Sequence, residues 1–301
     1  MIHALHELVE AEHKVAHIFR VIVHSSVYLA LGGVGLSVFS TVALNLQHHL
    51  GAYAISFLMI FAMYNMNRYS DIQEDVMTHP KRHSFVVKYR KYIEFSAILA
   101  MIISLVVGYV KNVSIIAMIL LPMALAVLYS FKWIPDKVFM YSRFKDIPLM
   151  KNVVVAFCWA VITTGVVVTY SDSAFTFAVF SVALIVFTRF FINTVVFDMR
   201  DVRGDRKHGT HTLPVLLGLR NTQIFLYSLL TALVLFTFIV TWSGVLPPII
   251  HLVNLTALQA YYYIYLSNKS VPMHTLCDVV ADGEFMVMGV VALLGEVIIG
   301  K

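Results

Sequence analysis

The sequence is poor in charge and almost without cysteine. Asp, Glu, Lys and Arg make up 13% of the 301 residues, against 59% hydrophobic, and the mean hydropathy is +0.81. So small a charged fraction excludes an ordinary water-exposed surface and leaves no room for a separate soluble domain. The two cysteines, Cys158 and Cys277, exclude a disulfide framework, because Cys158 lies inside an apolar run. There is no long linker and no low-complexity segment. The glycines of Leu31-Gly32-Gly33-Val34-Gly35 follow no strand, so they read as close helix packing and not as a phosphate loop.

What is present instead is a succession of apolar runs, each about 20 residues long and so able to cross a bilayer core of roughly 30 Å as a helix. They fall near residues 21–44, 51–67, 92–110, 113–131, 151–170, 174–199, 222–242, 245–266 and 280–299. The expectation is an all-α integral membrane protein with about nine transmembrane helices. The first run is longer than a signal-peptide core and is expected to stay as the first span. All of the 22 Lys and Arg except Lys111, Arg189 and Lys301 fall on the N-terminal segment or beside the loops after the even-numbered spans. The positive-inside rule therefore makes those segments cytoplasmic. The net charge of +5 is a topology signal and carries no nucleic-acid inference.

Two regions are expected: an interfacial amphipathic helix over 1–19 and a transmembrane domain over 20–301. Ile2, Leu5, Leu8, Val9, Val15 and Phe19 share one broad face of the first segment. His3, His6, His13 and His17 lie on another, among Glu7, Glu10 and Glu12, which reads as a solvated face before it reads as a metal site.

Acidic residues gather where two spans reach the cytoplasm. At the end of span 2, Asn67, Asp71 and Asp75 are four apart, which places them on one helical face. At the end of span 6, Asp198, Asp201 and Asp205 again share a face. Like charges at these spacings repel, so a cation is expected to compensate them, and oxygen ligands favour a hard ion such as Mg2+. Either motif alone could be a solvated juxtamembrane patch. Two on the same expected side point to a site.

The residues around these motifs resemble the UbiA superfamily of membrane-embedded prenyltransferases. The first signature is similar to Asn67-x-x-x-Asp71-x-x-x-Asp75 followed by His79-Pro80-Lys81-Arg82. The second is similar to Asp198-x-x-Asp201-x-x-x-Asp205-Arg206-Lys207-x-Gly209, running into Thr212-Leu213-Pro214 and Leu217-Gly218. Leu128-Tyr129-Ser130-Phe131-Lys132 resembles the family's Tyr-to-Lys element after span 4, with the pair three apart where four is frequent, and Lys151-Asn152 resembles its opening of span 5. The family's Arg-Pro or Arg-x-x-Asn element is absent from Arg20-Val21-Ile22-Val23-His24-Ser25-Ser26.

The resemblance implies one bundle around a central apolar cavity, an active site at the cytoplasmic side, and two Mg2+ ions. Asn67, Asp71 and Asp75 would hold one ion; Asp201 and Asp205, helped by Asp198, the other. Arg68, Lys132, Lys145 and Lys207 would meet the diphosphate of a polyprenyl diphosphate donor, with Tyr129 beside them; Asp71, Asp75, Asp201, Asp205 and Lys132 are the implied catalytic set. Tyr64, Tyr129, Phe157, Trp159, Phe187 and Phe190 are placed to line the pocket, where an aromatic face stabilises an allylic cation. The acceptor would be hydrophobic, an aromatic quinone precursor or a glycerol-type lipid, reached among membrane lipids. A terpene cyclase of the same superfamily is the alternative enzyme. A secondary transporter is the alternative outside enzymes, although transporters place ionisable groups near the bilayer midplane and not at one end of the spans. Asp282, Glu284 and Glu296 are further acids of the last span, the first two expected to be solvated at its start.

Overall fold

The computed structural model describes residues 18–19, 21–70, 80–130, 147 and 149–299, with the side chains of 68–70, 80–82, 129–130, 208 and 299 left out. Every regular element among the described residues is a helix, with no strand. Asp71, Asp75, Lys132 and Lys145 lie outside them, as do the side chains of Arg68 and Tyr129. So does the expected interfacial helix, except Ile18 and Phe19, which are helical and exposed.

The helices are α1 (Val27–Ala43), α2 (Leu50–Ser70), α3 (Pro80–Lys111), α4 (Val113–Ser130), α5 (Met150–Tyr170), α6 (Phe177–His208), short α7 (Leu213–Leu217), α8 (Leu219–Trp242), α9 (Ile250–Asn254), α10 (Ala257–Leu266) and α11 (Asp282–Ile299). A helical turn at Met273–Thr275 and a π-helical stretch at Leu276–Ala281 lead into α11. Among the described residues five helices are long and apolar enough to cross a membrane, carried by α2, α3, α5, α6 and α8; α1 and Val113–Leu128 of α4 are apolar but shorter. Large apolar side chains also face outward, among them Phe95, Ile102 and Val106 of α3, Leu235 and Phe238 of α8, and Leu294 and Val297 of α11. A surface of that kind fits hydrocarbon, not water.

Small residues set the closest crossing. A Cβ on Gly35 of α1 would fall on the Phe285 carbonyl of α11, and one on Gly289 would fall on Gly35 itself, so the two backbones touch. Buried hydroxyls stitch the far half of the bundle: Ser37 Oγ donates to Ser56 Oγ at 2.8 Å, and Ser56 Oγ to the Ile162 carbonyl at 3.1 Å. That carbonyl belongs to a π-helical turn, Val161–Gly165, inside α5. At the end of α11, Glu296 pairs with His48 at 2.9 Å.

α6 positions the site. Thr176 caps its start, its hydroxyl accepting from the Val179 amide at 3.4 Å, and Gly209 ends it with φ +72°, a conformation that costs glycine little. Its 32 residues at 1.5 Å each span about 48 Å. A bilayer core is about 30 Å thick, so the helix is longer than a crossing requires.

One expected span differs in form. Residues 245–266 hold two helices, α9 and α10, because the chain tightens at Leu255 and Thr256, where the Thr256 hydroxyl bonds the Val253 carbonyl at 2.7 Å. No proline or glycine marks this break.

Candidate active site

Asp198 and Asp201 of the second acidic motif lie on the wall of a chamber of about 220 Å3 between α1, α2, α5, α6, the chain before α1 and the start of α11; Asp205 does not line it. Asp198 is 1% exposed, and both its oxygens are occupied: Lys151 Nζ donates to one at 2.8 Å and Asn152 Nδ2 to the other at 2.8 Å. Asn152 also reaches Thr194 Oγ1 at 3.2 Å. Its place at the start of α5 thus holds Lys151 beside the chamber, with Asp198 as its anchor. Asp201 carries a bidentate pair with its neighbour Arg200, Nε to Oδ1 and Nη2 to Oδ2, both 2.9 Å. Asp205 accepts from Thr212 Oγ1 at 3.1 Å, so the Thr212-Leu213-Pro214 segment folds back onto the motif. Asn67 lines the chamber from α2, and Lys207 is exposed at the end of α6.

The chamber holds more charge than the two motifs supply. Arg200, whose side chain is 7% exposed, donates through Nη1 to Asp278 Oδ1 at 2.9 Å, and its guanidinium lies 4.6 Å from the centre of the Phe197 ring. Asn193 Nδ2 reaches Asp282 Oδ1 at 3.3 Å. Lys151, Arg200, Asn193, Asp278 and Asp282 all line the space, and none is among the site residues expected from sequence. Asp278 and Asp282 are four apart, the spacing of Asp71 and Asp75, which is the signal that marks them.

A second, apolar cavity of about 430 Å3 lies against the first, lined by methionines and aliphatic side chains of α2, α4 and α5. The two share Tyr64, Asn67 and Val155. Of the expected aromatic residues, Tyr64 and Trp159 line the apolar cavity and are joined by Trp159 Nε1 to Tyr64 Oη at 3.1 Å; Phe190 lines the chamber and stacks on Trp159 at 4.0 Å. Phe187 packs on Phe191, and Phe157 faces outward at 42% exposure; neither lines either space.

Glu284 departs from its expectation. It is 0% exposed and paired with Arg189, 3% exposed, whose Nη2 also reaches Thr256 Oγ1 at 3.1 Å. A carboxylate in the first turn of a helix is buried here because a guanidinium from α6 meets it.

A family model described as the UbiA prenyltransferase family matches residues 26–276. This chain belongs to that family. Solved UbiA homologues share its fold: an apo structure from Aeropyrum pernix K1 has a TM-score of 0.68 at 13% identity, covering 90% of this chain and 98% of that one. A homologue from Archaeoglobus fulgidus, described as bound to GPP and Mg2+, has a TM-score of 0.60 at 13% identity over 91% and 98%. A structure described as digeranylgeranylglyceryl phosphate synthase has a TM-score of 0.57 at 17% identity over 90% and 96%. No curated protein matches the chain.

The donor chemistry suits the hard cation that the UbiA fold implies, since Asp201 and Asp205 offer only carboxylate oxygen. Among the described residues no three acidic, His or Cys side chains converge as an ion site by themselves. In a two-motif site two of the ligands would be Asp71 and Asp75, outside the described residues.

Proposed function

We propose that the protein transfers a prenyl group from a polyprenyl diphosphate to a hydrophobic acceptor and releases diphosphate. The observation that supports this reading best is the junction of two unlike spaces, a charged chamber against an apolar cavity, at Tyr64, Asn67 and Val155. An allylic diphosphate is amphipathic in the same way: a multiply charged head on a hydrocarbon tail. The head fits the chamber, and the tail fits the cavity of α2, α4 and α5.

In this reading Asn67, Asp71 and Asp75 hold one Mg2+, and Asp201 and Asp205 hold a second. Bound there, the ions neutralise charge that develops on the leaving diphosphate. Lys151, held by Asp198 and Asn152, presents a fixed ammonium to the same charge; Asp198 thereby acts through Lys151 and not as a direct ligand. Arg68, Lys132, Lys145, Lys207 and Tyr129 complete the basic lining as the family resemblance implies. Trp159, Phe190 and Tyr64 surround the point where the carbon–oxygen bond breaks and keep water from the cation. The chain crosses the bilayer about nine times, with its N-terminus and chamber cytoplasmic, consistent with the distribution of Lys and Arg. The acceptor is an aromatic quinone precursor or a glycerol-type lipid.

The test pairs the purified protein with Mg2+, prenyl diphosphates of several lengths, and quinone-ring and glycerol-lipid acceptors. Diphosphate release is expected only with acceptor present and only before chelation by EDTA. Release without acceptor, accompanied by a cyclic hydrocarbon, would replace the transferase with a cyclase; no release with any pair would overturn the reading.

A further inference from the structure

Arg200 is shared between two carboxylates that belong to different helices. Its Nε and Nη2 take both oxygens of Asp201, and its Nη1 takes Asp278 Oδ1, all at 2.9 Å. The Phe197 ring beneath the guanidinium gives it a flat support on which it can stay while one edge changes partner. Asp201 is the residue to which the proposed function assigns an ion, and an ion and a guanidinium compete for the same oxygens. Asp278 lies beyond residue 276, where the family match ends, so the shared pattern assigns it nothing.

We propose that Asp278 is a positioning residue for the metal site: it holds Arg200 at the chamber wall when a divalent cation takes the oxygens of Asp201. The inference rests on the Asp201 assignment made above. Without Asp278 the guanidinium has one fewer anionic partner and holds Asp201 more tightly, so the cation must displace a stronger competitor. Asp278 therefore strengthens metal binding without touching the metal. A general electrostatic role would differ, because a carboxylate that merely adds negative potential acts whether or not Arg200 is present.

The experiment is a four-variant cycle on the full chain in lipid nanodiscs, titrated with Mn2+ and read by the loss of the free-ion electron paramagnetic resonance signal. Asp278→Asn should weaken Mn2+ binding by about tenfold, the scale of one charge-assisted hydrogen bond. In the Arg200→Gln background the same substitution should change affinity by less than about twofold. Equal weakening in both backgrounds overturns the proposal in favour of plain electrostatics, and no weakening in either overturns it outright. Arg200→Gln alone should tighten Mn2+ binding, and this keeps the proposal falsifiable if Asp278→Asn does not fold; unchanged or weaker binding there counts against it. Asp201→Asn separates the two levels. If it binds Mn2+ like wild type, the assignment of Asp201 as a ligand fails; if it binds weakly while Asp278→Asn binds normally, only the role of Asp278 fails.

Discussion

α6 carries two buried arginines, and each faces acids of the C-terminal part of the chain. Arg189 meets Glu284 and Thr256 deep in the bundle; Arg200, three turns further, meets Asp201 and Asp278 on the chamber wall. The chemistry is the same and the surroundings are not. Nothing can reach Glu284, which is sealed among packed helices and lines neither cavity, whereas Asp201 opens onto about 220 Å3 of space. Access, more than burial or charge, separates a pair that fastens helices together from one that can exchange partners.

Breaking each pair should therefore have opposite signatures. Asp201→Asn should lower turnover by orders of magnitude with little change in melting temperature, because it removes a charged ligand that faces solvent space. Prenyl-transfer assays beside thermal unfolding of the same preparation check this, and a large fall in melting temperature would contradict the contrast. Arg189→Ala should leave turnover per folded molecule intact but destabilise the bundle by about 3–5 kcal/mol, since Glu284 is left buried and unpaired. The double replacement Arg189→Met with Glu284→Leu should recover most of that loss, as measured by unfolding in detergent.

A sharper version concerns Lys151, which is paired with the buried Asp198 carboxylate and faces the chamber itself. Lys151→Met should lower turnover about tenfold while affecting prenyl diphosphate affinity less, if its charge acts mainly as the bond breaks. Steady-state turnover and substrate binding, measured separately, decide it. The smallest effect is expected at the opposite end of the bundle, where Lys111 pairs with exposed Asp172 at 2.9 Å. The Lys111 and Asn112 hydrogen bonds hold that carboxyl below its ordinary range, but an exposed pair is well screened by solvent. Lys111→Ala should leave melting temperature and turnover within error.

The readable parts of this site were local. Asp198, Asp201 and Asp205 share a face through helical spacing alone, and the flanking Lys207, Gly209 and Thr212-Leu213-Pro214 carry the family resemblance in a single stretch. Glu284 differs from its expectation, and Asp278 carries no local sign of its role, because their partners lie far along the chain: Glu284 pairs with Arg189 and Asp278 with Arg200. The last acidic pair, Asp278 and Asp282, had the same four-residue spacing as the first motif, but without the proline and basic residues that mark the loop after Asp75. The break at Thr256 was invisible for a related reason. A threonine hydroxyl that turns onto its own helix leaves no mark in an apolar run; here it is fixed by a guanidinium from another helix.

The π-helical turn at Val161–Gly165 has a consequence for how this chain can vary in length. Such a turn holds one residue more than an α-helical turn, and it lies between the half of α5 that carries Lys151, Asn152 and Trp159 and the half that packs on the far side of the bundle. Deleting one residue from that turn would let it close as an α-helical turn with the two halves near their present orientation, whereas a deletion in an α-helical part of α5 would rotate one half against the other by about 100°. In the second case Lys151 and Asn152 would swing off Asp198, and Trp159 would leave Tyr64, with no residue type changed. The π-helical turn is therefore the point at which α5 can lose a residue and still present Lys151, Asn152 and Trp159 to their partners.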